Sequence, residues 1–357
     1  SLVEVMDKCS SPMGARMLRT WLSMPVMDLE ELEYRHSVVQ HFVDNQEDLI
    51  RLQTMVGDIG DLERIISRAA AGKIAPREVM QLRRGLGQTD PIMKLCLGKG
   101  NEALDNMMKS ITDCNELLEY LGRTMHPETA AAVGKGDVIA SGVSAELDEL
   151  RDIARNGKDY LLKIQERETE RTGIPSLKIG YNSVFGYYLE VRNTHKDKVP
   201  EEWVRKQTLV NAERYITEEL KEYEHKILGA EERIYLIETQ IYAELVARIQ
   251  ANISSIQKNC RILARLDVLS GFADLAVSNN YCRPKMNDGK TISISKGRHP
   301  VIETMMQAGE EFVPNDIFLD NESQQVIILT GPNMAGKSAL LRQTALIVLM
   351  AQVGSFV

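Results

Sequence analysis

The chain has 357 residues, enough for two or three domains; 43% are hydrophobic but only 5% aromatic, a Leu, Ile, Val, Ala and Met balance that favours helix-on-helix packing over an all-β sandwich. A net charge of -8 argues against a wholly basic nucleic-acid binder, so any DNA contact has to come from a local patch. No signal peptide and no apolar run of the ~18–20 residues that span a bilayer is present, so no membrane partner is expected.

Residues 1 to about 130 read as several helices, with Leu18, Trp21 and Leu22, and then Leu62, Ile65, Ile66 and Ala69, at helical spacing. Glycines and prolines fall between such stretches, at Gly72 to Pro76 and Gly85 to Pro91. A longer helix is predicted from Ser144 to about Thr172, with Leu147, Leu150, Ile153, Leu161 and Ile164 on one side and a stop at Gly173-Ile174-Pro175. Leu177 to Arg192 (LKIGYNSVFGYYLEVR) then carries the β-branched and aromatic texture of strands, with Gly180-Tyr181-Asn182 and Gly186 as turn or bulge points. This β-rich insert extends to about Tyr215.

A second long helix is predicted from about Glu218 to Lys258. Its apolar residues, from Leu220, Tyr223, Ile227 and Ala230 through Leu245 and Ile249 to Ile256, recur at steps of three and four. Such a stripe reads as core, with the charges between as solvated faces, and a helix this long needs a partner along its length. The 144–172 helix is the natural one, antiparallel, with the β-rich insert at their tips.

Beyond Pro284, Thr291 to Ser295 alternates as a strand should. Gln325 to Thr330 (QVIILT) reads as a short buried strand, and Ser338 to Met350 as a helix. Between them lies Gly331-Pro332-Asn333-Met334-Ala335-Gly336-Lys337-Ser338, a full G-x-x-x-x-G-K-[ST] match in the strand–loop–helix setting a phosphate-binding loop requires. Small residues let backbone N–H groups converge on phosphate oxygens, and the following helix turns its positive end to the anion. Lys337 is expected to reach the β- and γ-phosphates of ATP or ADP, and Ser338 to hold Mg²⁺ through its hydroxyl. Hydrolysis needs an acidic residue on a second strand and a group to orient water. The 19 residues after Ser338 contain no acidic side chain, so no catalytic residue is assigned and no ATPase activity is expected of this stretch. The abrupt start and the Gly354-Ser355-Phe356-Val357 ending read as an internal segment. The cysteines (Cys9, Cys96, Cys114, Cys260, Cys282), with no C-x-x-C pair and no histidine at ligand spacing, read as reduced, buried thiols rather than a metal centre.

The loop with its flanks, TGPNMAGKS and ALLRQTALIVLMAQVGSFV, resembles the ATPase domain of the MutS family of DNA mismatch-repair proteins, whose loop is usually TGPNMGGKST; Ala335 and Ala339 depart from that pattern. Gly297 to Glu303 (GRHPVIE) is similar to the family's GRHPVVE segment, and Phe312-Val313-Pro314-Asn315-Asp316 to the segment beside the adenine. GYNSVFGYYLEV and RKQTLVNAERYITEELKEYEHKILGAEER resemble the clamp and the helix leaving it, and SSPMGARMLRTWLSMPVMD and GDLERIISRAAAGKIAPRE the lever.

The resemblance implies a mainly α fold of long helical lever arms, with a small β-rich clamp insert and the beginning of an α/β P-loop ATPase domain. The expected domains are a first lever part over 1–172, the clamp over 173–217, a returning lever helix over 218–284 and the truncated ATPase start over 285–357. Phe312 is implied as an adenine stacker, with Val313 and Asn315 as further nucleotide contacts; His299 is read as structural. Between Lys178 and Arg214 the clamp holds seven basic and five acidic side chains, a modest local excess suited to backbone-only contact with double-stranded DNA. Asn193, Lys196, Lys198, Arg205, Lys206 and Asn211 are the expected contacts, while Arg214 is expected to pair with Glu218. For the longer parent the resemblance implies ATP hydrolysis that switches the clamp on mismatched DNA, a homodimer, a MutL-type partner and a bacterial, cytoplasmic setting. Two other readings are a MutS homologue specialised for recombination or other DNA structures, and a chromosome-organising or transport-coupled ATPase with longer coiled-coil arms.

Overall fold

The computed structural model describes all residues except 308, 309, 311 and 333–335, and the side chains of 157 and 158. The chain runs through α1 (Leu2–Met6), α2 (Pro12–Ser23), α3 (Leu29–Asp44), α4 (Gln46–Ile59), α5 (Leu62–Ala70), α6 (Pro76–Gly87), α7 (Thr89–Cys96), α8 (Glu102–Lys109), α9 (Asn115–Thr124) and α10 (Ala145–Thr172). Strands β1 (Lys178–Asn182) and β2 (Gly186–Arg192), a 3₁₀ turn (Asn193–Lys198), β3 (Val204–Thr208) and β4 (Ala212–Ile216) follow. The remainder is α11 (Glu218–Ala251), α12 (Ile253–Asn279), β5 (Ile292–Gly297), α13 (Pro300–Glu303), β6 (Asn315–Leu319) and α14 (Lys337–Val353). The fold is mainly α with a small β insert, as the sequence implies. The residues fall into two compact units: 1–74, 78–119 and 248–357 form one, and 75–77 with 120–247 the other.

The first unit is organised by α12, which packs against α2, α3, α4 and α5 and buries Leu263, Leu266, Leu269, Phe272 and Leu275. The α5 quartet Leu62, Ile65, Ile66 and Ala69 is buried, as its spacing predicts. Asp267, wholly buried on α12, accepts from the Ser10 and Ser11 amides at 2.8 and 2.9 Å and from the Ser11 hydroxyl at 2.6 Å. Its carboxylate fills the space where a Cβ on Gly14 would sit, so that helix approach requires glycine.

In the second unit an antiparallel sheet, ordered β1-β2-β4-β3, packs Leu189, Val191, Trp203 and Tyr215 onto Leu161 and Ile164 of α10 and Leu220 of α11. Helix α10 ends at Gly173 in the left-handed conformation (φ 63°), as its Gly-x-Pro stop predicts. Gly180 lies inside β1 rather than in a turn, because the Tyr188 ring occupies its Cβ position; the hairpin turn is 183–185, opened by Asn182 Oδ1 accepting from the Val184 amide at 2.8 Å. Arg151 of α10 meets Glu238 of α11 at 2.6 Å, the Tyr160 and Tyr223 rings stand 4.5 Å apart, and Arg167 reaches Glu219 at 2.5 Å. Partners fall along α11 as they rise along α10, so the two helices are antiparallel.

Five sequence expectations need correction. The long helix predicted to Lys258 breaks at Asn252 (φ -101°, ψ 2°), whose side-chain amide donates to the Arg248 carbonyl at 2.9 Å, the local competition with helix bonding that asparagine favours. Ile153 is exposed rather than on the buried side of α10, and Glu238 is buried rather than solvated. Cys282 is exposed, although Cys96 and Cys260 are buried and all five thiols are free. Residues 325–330 form no strand, and Val326 and Ile328 are 75% and 84% exposed. A buried parallel strand needs hydrogen-bonded neighbours and cover on both faces, and no described strand pairs with this run.

Candidate functional site

The phosphate loop is described at its two ends; Asn333, Met334 and Ala335 lie outside the described residues. Gly331 (φ 148°) and Gly336 (φ 83°) both hold backbone conformations that favour glycine. Gly336 is the residue before α14, and among the described residues no side chain caps that helix start. Among the described residues, the first N–H groups of this 17-residue helix therefore have no side-chain acceptor from the capping position. The Lys337 ammonium donates to the carbonyls of Gly331 and, at 2.7 Å, of Pro332. Ser338 is exposed on the first turn. Bare N–H groups, one ammonium and a hydroxyl suit a polyphosphate with its magnesium ion.

Beside the loop helix, β5 and β6 pair with Gly297 opposite Asn315. A Cβ on Gly297 would stand 2.8 Å from Gln343 Nε2 on α14 and 3.1 Å from the Asn315 carbonyl, so this glycine lets helix and strand close together. Asn315 Nδ2 donates to the Val313 carbonyl at 3.0 Å; Val313 is exposed and Phe312 half-buried. Among the described residues no hydrogen bond joins the 312–315 segment to the loop. His299 is structural, as expected: its Nδ1 accepts from the Val301 and Ile302 amides at 3.2 Å each and so caps α13. Burial holds its imidazole below the usual histidine range.

Of the expected DNA contacts, Asn193 and Asn211 lie at one end of the four-stranded sheet, with the 3₁₀ turn that carries Lys196 and Lys198, whereas Arg205 and Lys206 lie toward the start of β3, beside Tyr215 and Arg214 of β4. Arg192, the last residue of β2, pairs with Ala212, the first of β4, so the β3–β4 turn and the 3₁₀ turn share that end. The Asn193 amide donates to the Asn211 carbonyl at 3.2 Å and its Nδ2 to the Val210 carbonyl at 3.0 Å, pinning the turn. Arg205 pairs with Glu213 at 3.2 Å. Tyr215, and then Arg205 and Lys196, hold the Glu213 carboxyl below its ordinary range, while burial and Glu213 push Tyr215 up to about 12. Lys198 donates to the Gly173 carbonyl at 3.1 Å, where α10 ends on its negative pole. Lys206 is the extra residue of a β-bulge and is exposed, as are Lys196 and Asn211. Three of the six expected side chains (Asn193, Lys198, Arg205) are thus engaged within the unit, and three face solvent. Arg214 pairs with Glu190 at 3.0 Å and lies over the Tyr188 ring, not with Glu218, which instead pairs with Lys221, because Glu190 is its cross-strand neighbour.

Sequence reasoning passed over two features of this end. Arg192 is exposed there with no carboxylate in ion-pair range among the described residues, and its place at the last residue of the strand run was the available signal. Val210 is 91% exposed at the turn tip, a position an unpaired sequence does not locate.

Among the described residues no helix is long and apolar enough to cross a membrane. Residues 1–273 match the family model for MutS domain III, and residues 327–357 that for MutS domain V. The whole chain is 55% identical to the DNA mismatch repair protein MutS of Phocaeicola vulgatus, 54% to that of Parabacteroides distasonis and 54% to that of Bacteroides fragilis. In each case the match covers 100% of this chain and 41% of the relative, so the chain spans about two fifths of the length of these proteins. With one family model covering most of its residues and relatives above half identity along its full length, the chain belongs to the MutS family.

Proposed function

We propose that this chain acts in DNA mismatch repair, holding the backbone of duplex DNA along residues 192–211 of its four-stranded sheet and nucleotide phosphates at the loop 331–338. The observation that carries the nucleotide reading is the start of α14: a left-handed Gly336 followed at once by helix, with no side-chain cap among the described residues. Backbone N–H groups of that first turn would bind phosphate oxygens, Lys337 would exchange its loop carbonyls for the β- and γ-phosphates, and the Ser338 hydroxyl would ligate magnesium. Bound Mg²⁺ supplies charge neutralisation across the phosphates. Phe312 offers a ring face for the base, with Val313 and Asn315 beside it.

On the DNA side, Lys196, Lys206 and Arg192 supply cations and Asn211 a neutral donor, a set that meets phosphates without reading bases. In the longer protein this reading extends to ATP hydrolysis, dimerisation and a MutL-type partner, with nucleotide state altering the grip on DNA. Anisotropy of a labelled duplex tests the sheet: binding at low salt should weaken with a log–log slope of about -0.9 per phosphate contact. Absence of binding at low salt refutes the DNA assignment. A fluorescent ADP analogue tests the loop: Lys337→Ala should weaken its binding at least tenfold, and equal affinities would refute the loop assignment.

A further inference from the structure

A cleft of about 380 Å³ opens in the first unit, sharing no residue with the phosphate loop or the sheet. One wall is α12; the other is Tyr34 of α3 with Ser110 at the end of α8, over the buried Met107. The walls are fixed from behind. Asn259 of α12 accepts from the Thr112 amide and donates to the Thr112 carbonyl, both at 2.8 Å, which holds the chain after α8. Arg265 donates to both carboxylate oxygens of Glu31 at 2.8 and 2.9 Å and stacks on the Tyr34 ring, 4.5 Å from its centre.

Arg261 and Lys258 lie four and seven residues before Arg265, so helical spacing puts all three on one stripe along the cleft. Arg265 is neutralised by Glu31. Arg261 and Lys258 are exposed and have no carboxylate in ion-pair range among the described residues. Two uncompensated cations thus lie side by side along the cleft, beside an Arg265 whose charge Glu31 answers. Tyr34, Ser254 and Gln257 line the same space and carry hydroxyl and amide groups, while the Ser110 hydroxyl there donates to the Asn106 carbonyl at 2.8 Å.

We propose that this cleft is a second phosphate-binding site, distinct from the loop at 331–338. A guanidinium and an ammonium supply the charge, and the hydroxyls and amide supply further donors. A phosphate presents three or more acceptor oxygens and uses such a set; a lone carboxylate is satisfied by one guanidinium fork. The phosphate comes from a free diphosphate or from a DNA backbone, and the two sources separate by experiment.

The test uses Lys258→Gln with Arg261→Gln, an exposed pair whose loss leaves the Arg265–Glu31 contact in place; an unchanged melting temperature verifies the fold. Pyrophosphate is titrated calorimetrically into protein carrying Lys337→Ala, which weakens the loop site. Saturable binding that falls at least tenfold when the two glutamines are added supports the cleft with a free diphosphate as source. For the backbone, duplex anisotropy is followed against salt: a log–log slope shallower by about 1.8 in the double variant reports two lost phosphate contacts and supports the cleft on DNA. The proposal is overturned if pyrophosphate fails to bind the Lys337→Ala protein and the duplex slope is unchanged, or if polyglutamate alone is bound in a Lys258- and Arg261-dependent way.

Discussion

Replacing Glu238 with leucine removes the acidic half of a buried ion pair at the centre of the second unit. Glu238 is 2% exposed and the Arg151 side chain 5%. One carboxylate oxygen of Glu238 accepts from Arg151 at 2.6 Å and from the Val138 and Ile139 amides at 3.0 and 3.3 Å. Those amides belong to the stretch that leads into α10 and is held by the Met125–Ile139 bridge. Leucine would leave a buried guanidinium and two buried N–H groups short of acceptors. Breaking a buried pair from one side costs about 3–5 kcal/mol. Asp137, 3.3 Å from Arg151 Nε, and the Ile139 carbonyl, which accepts from Arg151 at 2.9 Å, retain part of the compensation, so about 3–4 kcal/mol is expected. Glutamine keeps an acceptor for the amides and loses only charge, at about 1–2 kcal/mol. Arg151→Met on the leucine background should recover at least 1 kcal/mol, because no charge is then stranded. The reporter is Trp203, buried in the sheet core, in a Trp21→Phe background that leaves no other tryptophan. With m of about 1–3 kcal/mol/M in urea, the leucine variant should lower the midpoint by at least 1 M. A shift below about 0.3 M for leucine, or equal shifts for leucine and glutamine, would refute the reasoning.

Gly354→Ala should destabilise the first unit by about 2–4 kcal/mol, since φ is 94° there and a new Cβ would lie 2.6 Å from the Arg35 side chain; Trp21 fluorescence in urea reads it. His36 is fully buried, and burial, with Arg283 nearby and Glu33 opposing, drops its imidazole to about 4. The unfolded chain takes up that proton near pH 6.5 and the native state does not, so stability present at pH 7 should fall by about 2–3 kcal/mol as pH drops to 4.5. Melts of His36→Phe should lack that share, and an unaltered pH profile would exclude it. Lys196→Gln and Lys206→Gln should each lower the salt slope of duplex binding by about 0.9, while Lys198→Gln should leave the slope unchanged and weaken the junction of the 3₁₀ turn with the end of α10, seen as a lower melting temperature.

What the sequence disclosed and what it hid divide along physical lines. The α5 quartet, the α10 stop at Gly173 and the strands after Leu177 were legible because periodicity and glycine chemistry are local. The glycine turn at Gly336 and the helix that follows it were legible for the same reason. The break at Asn252 was not, because an apolar stripe continues through it and only the asparagine side chain turns the backbone. Glu238 read as solvated because its partners are 87 to 100 residues away in sequence. The 325–330 strand was called for by composition alone, yet a strand exists only where neighbours complete its ladder. In the four-stranded sheet and its 3₁₀ turn, sequence identified the cations but not their partners, the Gly173 carbonyl and Glu213, so Lys198 and Arg205 looked as available as Lys196 and Lys206.

The loop helix is held at its far end more firmly than at its near one. Arg35 donates to the Val353 carbonyl at 2.8 Å, at the negative pole of α14, and lies 3.5 Å from the centre of the Trp21 ring. The Val26 amide donates to the Gln352 carbonyl at 3.0 Å, and Cys282 and Val357 exchange both backbone bonds. At the near end, among the described residues, no side chain caps the helix start and the Lys337 ammonium bonds to the carbonyls of Gly331 and Pro332. A 17-residue helix is about 25 Å long and resists bending over that span. On the proposed reading, phosphate bound at its start would meet a rod whose other end is already fixed to α2 and α3. Any displacement that the nucleotide causes has to appear at Arg35 and Trp21, or be absorbed within the loop itself. Trp21 emission followed during ADP titration, in a Trp203→Phe background, separates the two: a saturating change lost in Arg35→Met places the displacement at the far end, and a flat trace confines it to residues 331–338.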